Sequence, residues 1–312
     1  MGQAVLLGDP AFFEIKAGAN PHTRDRWGRR KRVDRQKAIA QWKDLKATLE
    51  GLHVKVHVLP AVEGIPGLVF PANAGFHLNG RLILSNLNPS RAPEIEQDRE
   101  FLKRLGFFVS DFPAALPFEG EADFFPVGDP SGDPSKEIYL FTYGRIEKPR
   151  WVFRVGLPPY RRLYGFRSDR EALSSLKRLV PTKEILPLQL VDERYYHGDT
   201  ALCSFGPHRE HLLAFLPALS EASGRLLKER FGERLIPLGC EDGGAFAANS
   251  FQVATEYEGE TRFVLLTPDG LTDGFYRAVR SKGVIPCPVD VSEFLEKGGG
   301  AVKCLLLDLG DF

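Results

Sequence analysis

A helical stretch, a short apolar run and a closing proline recur along this chain. The copies read LEGLHVKVHVLP, LKRLGFFVSDFP, LKRLVPTKEILP, LKERFGERLIP and VRSKGVIP, and they close at Pro60, Pro113, Pro187, Pro237 and Pro286. Successive prolines are 53, 74, 50 and 49 residues apart. A recurring interval of about 50 residues marks a repeated supersecondary module that cannot bury its apolar face alone. Five such modules fill the chain, which predicts one closed domain rather than two. The long interval contains VGDPSGDPSKEIYLFTYGRIEKPRWVFRVGLPPYRR. Its Asp-Pro-Ser-Gly-Asp-Pro text is turn chemistry, and EIYLFTYG and PRWVFRVG read as two strands joined by a turn. Removing roughly 25 residues restores the period, which predicts an inserted hairpin at about 128–160. Arg150, Arg154, Arg161 and Arg162 are expected on its solvated face.

Polar or reactive groups recur at a similar phase, about 6 to 18 residues past each proline. They are Asn73 in GLVFPANAGF, Glu119 and Asp123 in PFEGEADFF, and His197 and Asp199 in YYHGDTALCSFG. Asn249 in CEDGGAFAANSF and Cys304 in EKGGGAVKCLLLDL complete the series. If the modules close in a ring, these groups converge on one central polar site. Alone, Cys304 between a glycine run and an apolar strand reads as a small packed hydrophobe. HGDT alone reads as turn chemistry, and FEGEADFF as an ordinary loop.

Composition narrows the class. The 312 residues carry 41 Lys plus Arg and 41 Asp plus Glu, so the net charge is zero and no basic excess invites nucleic acid. No apolar run reaches membrane-spanning length, and MGQAVLLGDP is too short and uncharged for a secretory signal, so a cytoplasmic location is expected. Cys203, Cys240, Cys287 and Cys304 show neither the clustered spacing of a zinc site nor the density of a disulfide framework. Reduced thiols are expected, with the first three as packing residues.

Cysteine, histidine and several carboxylates make a coherent set. A thiolate is the nucleophilic form, and a nearby imidazolium or bound cation lowers the thiol pKa. Histidine can protonate a leaving amine and then deprotonate water. Carboxylates only accept, so Glu119, Asp123 and Asp199 in one pocket demand a cation, and a planar guanidinium fits that demand better than an ammonium. The chemistry predicted is thiolate attack on a guanidinium carbon.

GLVFPANAG, PFEGEADFF, YGFRSDREAL, VDERYYHGDTALCSFG, AANS and EFLEKGGGAVKCLLL resemble, in order and spacing, the guanidine-modifying enzymes of the pentein fold. That group includes dimethylarginine dimethylaminohydrolases, arginine deiminases, amidinotransferases and arginine dihydrolases. The resemblance implies an α/β fold, a five-bladed α/β propeller of ββαβ units. It implies Cys304 as nucleophile, His197 as general acid and base, and Glu119 and Asp199 on the guanidinium nitrogens, with Asp123 beside them. Arg91 in NPSRAPE and Arg167 in YGFRSD would bind the substrate α-carboxylate, their alternative being structural salt bridges. No metal or organic cofactor is implied. The partner expected is a small guanidine, with no nucleic acid or membrane, and a homo-oligomer stays open.

Asn73 in VFPANAG and Asn20 in GANPH resemble the arginine dihydrolase type, which releases both terminal nitrogens of arginine as ammonia. Dimethylarginine hydrolases and deiminases usually carry an acidic residue at the Asn73 position. A neutral amide both donates and accepts, so it can hold a neutral ureido group. The chain departs from the family pattern at Glu121 and Ala122, where EGxGD is usual, and at Gly198, where an apolar residue is usual. A dimethylarginine hydrolase, deiminase or amidinotransferase is the alternative, and a non-catalytic ribosome-binding pentein is a remote one.

Overall fold

The computed structural model describes residues 3–16, 20–147, 150–154, 157–162 and 165–311. The chain begins with β1 (Gln3–Gly8), α1 (Arg35–Gly51) and β2 (Lys55–Leu59). Next come β3 (Gly75–Leu78), β4 (Arg81–Leu84), α2 (Ala92–Arg104) and β5 (Phe108–Asp111). The third stretch holds β6 (Phe124–Val127), β7 (Ile138–Tyr143), β8 (Arg150–Arg154), β9 (Leu157–Arg162), α3 (Leu173–Leu179) and β10 (Ile185–Gln189). It is followed by β11 (Leu202–Phe205), β12 (His211–Ala214), α4 (Glu221–Phe231) and β13 (Leu235–Pro237). The last elements are α5 (Cys240–Gly244), β14 (Phe251–Tyr257), β15 (Glu260–Pro268), α6 (Asp273–Arg280), β16 (Val284–Val289), α7 (Ser292–Gly298) and β17 (Leu306–Asp311).

Among the described residues the strands form five three-stranded sheets with one pattern. The first strand of each is antiparallel to the second, and the second is parallel to the third. A helix makes each parallel crossover, as that connection requires. The fifth sheet, in the order β17-β1-β2, pairs the two ends of the described chain. The repeated prolines have a physical place in this plan. Pro187, Pro237 and Pro286 lie in β10, β13 and β16, and Pro60 and Pro113 follow β2 and β5. These third strands are all sheet edges, where a residue with no backbone N–H costs no ladder bond.

The inserted hairpin is shorter than the sequence predicts. Ile138–Tyr143 does not pair with Arg150–Arg154; it is the central strand of its sheet, between β6 and β10. The separate two-stranded hairpin is β8–β9, register-matched from Arg150↔Arg162 to Arg154↔Leu157. The two-strand text was right, but a strand already needed by the module took the first half. The side chains of Arg150, Arg154, Arg161 and Arg162 lie outside the described residues. Cys203 is buried and Cys287 half-buried, whereas Cys240 is exposed at the start of α5 and is no packing residue. No helix among the described residues is long and apolar enough to cross a membrane.

Candidate active site

Each sheet is entered through a short turn, and those turns carry the predicted polar groups. Asn73 ends the turn before β3, Glu119 begins the one before β6, and His197 caps the Gly198–Thr200 turn before β11. Asn249 precedes β14, and Cys304 sits in the Lys303–Leu305 turn before β17. Apolar neighbours anchor the polar ones. Phe118 and Phe124, on either side of the acidic turn, are buried and packed against Phe76, with Phe118 stacked on Phe112 at 4.4 Å. That alternation explains the acidic-aromatic text of PFEGEADFF. Val302, Leu305 and Leu306 do the same for Cys304.

The glycine run before Cys304 has a steric cause. A Cβ on Gly300 would lie 2.7 Å from Cys304 Cβ and 3.0 Å from its Sγ. Only glycine lets the backbone pass so close. Gly198 is similarly constrained, because a Cβ there would lie 2.3 Å from Thr142 Oγ1. The side chain missing from HGDT has no room in this chain.

Cys304 is 3% exposed, and its Sγ accepts from Asn249 Nδ2 at 3.2 Å and lies 3.5 Å from Asp199 Oδ2. Burial, reinforced by the Asp199 charge, pushes the thiol well above the ordinary thiol range. At rest the group is a thiol facing a carboxylate. Burial also pushes Asp199 up to about 6, although His197 and Lys303 pull the other way. Asp199 Oδ1 is buried with no hydrogen-bond partner. A buried acceptor of this kind is costly unless a donor arrives.

His197 is 2% exposed, and its Nε2–H donates to Glu119 Oε2 at 2.8 Å. Burial would raise Glu119, but the His197 bond and charge, with Arg167 and Arg91, outweigh it and hold the carboxyl at about 2. Asn73 Nδ2 is 3.4 Å from the same imidazole nitrogen, and Asn73 Oδ1 accepts from Arg91 Nη1 at 2.6 Å. Arg167 places its guanidinium 5.4 Å from the Tyr196 ring centroid, a cation–π distance.

The remaining predicted residues are present but occupied by the protein. Asp123 accepts from Thr142 Oγ1 at 2.5 Å, Ser168 Oγ at 2.7 Å and Gly198 N at 2.9 Å, so it fastens the His197 turn. Asn249 donates to Asp199 O at 3.0 Å and accepts from Ala301 N at 2.8 Å, bracketing the Cys304 turn. Arg91 donates through Nε and Nη2 to Glu94 at 2.5 to 3.0 Å and through Nη2 to Gly67 O at 3.2 Å. Arg91 thus forms an ion pair with Glu94 on the edge of the cluster. Asn20 caps the Pro21–Thr23 turn and donates to Gly298 O at 2.8 Å, buttressing the glycine run from outside the cluster. Sequence reasoning missed Ser168, Thr142 and Tyr196, whose hydroxyl donates to Gly299 O at 3.2 Å. Tyr196 stands next to His197 in YYH, which is the one signal that was available. It also treated Glu121 only as a departure, whereas Glu121 pairs with Lys303.

No family model matches the chain. It is 29% identical over 304 residues to the bifunctional arginine dihydrolase/ornithine cyclodeaminase AgrE of Nostoc sp., covering 97% of the chain and 37% of that protein. The chain thus spans little more than a third of that bifunctional relative. It is 28% identical over 302 residues to the N(G),N(G)-dimethylarginine dimethylaminohydrolase of Mycobacterium tuberculosis, covering 96% of the chain and 83% of that enzyme. The crystal structure of the product-bound N-terminal domain of ArgZ, a cyanobacterial arginine dihydrolase, matches with a TM-score of 0.80 at 25% identity, over 100% of this chain and 98% of that one. A dimethylarginine dimethylaminohydrolase adduct with S-methyl-L-thiocitrulline matches in fold, with a TM-score of 0.67 at 20% identity, over 99% of this chain and 100% of that one. In sequence and in fold, the chain matches the pentein guanidine-modifying superfamily, with arginine dihydrolases and dimethylarginine dimethylaminohydrolases as its homologues.

Proposed function

We propose that this chain is a thiol-dependent arginine dihydrolase, converting L-arginine and two waters to ornithine, carbon dioxide and two ammonia. The observation that carries the reading is the juxtaposition of Cys304 with Asp199, whose Oδ1 is buried without a partner. A guanidinium satisfies that acceptor and supplies the positive charge that a buried thiol beside a carboxylate needs in order to ionise. We read the whole chain as one catalytic domain, its five modules closed as a five-bladed α/β propeller. Pairing of β1 with β17 supports closure.

Substrate cation enters between Cys304 and His197, taking hydrogen bonds from its nitrogens to Asp199 and Glu119. Glu119 meets the cation still ionised. The thiol gives its proton to water as the cation seats, and the thiolate attacks the guanidinium carbon to give a tetrahedral adduct. His197 protonates the departing nitrogen, which leaves as ammonia, and a covalent thiouronium remains. Water, deprotonated by His197, adds to that carbon and expels the thiolate, yielding citrulline. In the second round citrulline presents a neutral ureido group. Asn73 Oδ1 is spent on Arg91, which leaves the Nδ2 donor for the ureido oxygen. A carboxylate at that position offers acceptors only. The same attack expels the second ammonia and leaves an S-thiocarbamate that joins Cys304 to the ornithine side-chain nitrogen. Water adds to that carbon and expels the thiolate, and the resulting carbamate breaks its C–N bond to give carbon dioxide and ornithine.

Incubation with L-arginine and quantification of ammonia, citrulline and ornithine test the reading. The expected outcome is ornithine with two ammonia per arginine. Accumulation of citrulline makes the chain a deiminase. Inertness toward arginine with release of dimethylamine from dimethylarginine supports the alternative that the Mycobacterium tuberculosis relative represents.

A further inference from the structure

Glu121 and Lys303 lie outside the mechanism above, yet Lys303 adjoins the nucleophile in sequence. Its Nζ donates to Glu121 Oε1 and, at 3.2 Å, to Leu306 O. Glu121 Oε1 also accepts from Asp308 N at 3.0 Å, so one carboxylate grips the Cys304 turn and the strand that follows it. Both side chains are largely buried, at 13% and 10% exposure, and the ammonium sits 5.6 Å from the Phe251 ring centroid. The pair borders a cavity of about 790 Å³ whose wall includes neither Cys304 nor His197. A smaller cavity of about 40 Å³ shares both residues and reaches Asp199.

The charges around the sulfur are unequal. Asp199 faces it and opposes the thiolate, Tyr196 adds nothing positive, and Asn249 offers a neutral amide. Beside Glu121 stands Asp308, whose carboxylate meets Arg209 at 3.7 Å. Arg91 and Arg167 act on Glu119, across the acidic turn. Lys303 is the cation carried by the nucleophile's own turn, and burial spares it from solvent screening.

We propose that Lys303 is a positioning residue for the reaction: held by Glu121, its ammonium supplies a fixed positive charge that favours the Cys304 thiolate, and Glu121 sets how much of that charge the sulfur feels. The inference rests on Cys304 being the nucleophile. The two partners therefore act on the sulfur with opposite signs, which a purely mechanical clamp cannot do.

The test is the rate of Cys304 alkylation, located by mass spectrometry, by 2-chloroacetamidine and by neutral iodoacetamide from about pH 6 to 9 in the full chain. Lys303→Met is expected to slow labelling about tenfold and move the profile up by about one pH unit. Glu121→Gln, which leaves the ammonium without its carboxylate, is expected to speed labelling and move the profile down. Lys303→Arg keeps the wild-type profile. Shifts of the same sign in Lys303→Met and Glu121→Gln, or rate changes with no shift, overturn the proposal. If Lys303→Met fails to fold by its thermal melt, Glu121→Gln alone decides, because a clamp predicts slowing where the proposal predicts acceleration. Absence of labelling at Cys304 in the wild type removes the nucleophile assignment and this inference together. Labelling with the expected shifts but no arginine turnover removes only the substrate.

Discussion

The acidic turn has two sides, and they treat similar carboxylates differently. Glu119 and Glu121 are two residues apart and both buried, at 0% and 8% exposure. On the His197 side, Glu119 meets an imidazole at 2.8 Å and Arg91 at 3.8 Å, and it is held far below the ordinary carboxylate range. On the Lys303 side, burial with Asp308 nearby outweighs the ammonium and pushes Glu121 above its ordinary range. Burial alone does not set a charge state; the number and sign of the partners do. The first side is built from an imidazole and arginine guanidinium groups, the second from backbone and ammonium contacts.

Cys304 follows Lys303 in sequence and lies 3.5 Å from Asp199, and removing its sulfur has the largest expected effect. Cys304→Ser abolishes turnover while fold and arginine binding persist, as read by steady-state kinetics beside calorimetric titration. Full activity in that variant, or chloroacetamidine labelling at Cys203, sinks the assignment.

On the His197 side, His197→Asn is expected to lose roughly 10²–10⁴-fold in kcat, the range for a general acid-base group. Glu119→Gln weakens binding and rate together. If kinetics of both match the wild type, the contrast between the two sides has no catalytic meaning.

Asn73 sharpens the comparison at the second round. A carboxylate there leaves the ureido oxygen facing negative charge, a buried mismatch of about 1–3 kcal/mol that slows the second step by about one to two orders of magnitude. Asn73→Asp is therefore expected to accumulate citrulline, measured by product chromatography against time. Unchanged ornithine yield contradicts it.

The smallest effect is one of pH. Asp199, raised to about 6, is an acid that loses its charge as pH falls through that value, whereas Glu119, held at about 2, does not. Arginine KM is expected to climb below about pH 6 by at most tenfold per unit, following a single protonation. A flat KM from pH 7 to about 5 shows that Asp199 does not carry the guanidinium.

Much of this arrangement was legible in the text of the chain. The proline-closed runs located the third strand of every sheet, because an edge strand tolerates the missing N–H. The hairpin was misplaced because strand text does not say which partner a strand takes, and Ile138–Tyr143 found two partners within its own sheet. Asp123 looked like a ligand for substrate on the same grounds as Glu119. Its oxygens proved to be taken by Thr142, Ser168 and Gly198, none of which is near it in sequence.

Sequence by itself determined the repeat and the phase of the polar groups within it, and it offered Cys304, His197 and the carboxylates Glu119, Asp123 and Asp199 as one chemical set. Those properties follow from local periodicity and residue type. Tertiary structure alone decided which carboxylate keeps an unpartnered oxygen, which arginine is already bridged, and that Glu121 closes on a lysine 182 residues away. The physical reason is that charge state and availability depend on distances of a few ångströms between turns, and those distances exist only once the five sheets have brought the turns together.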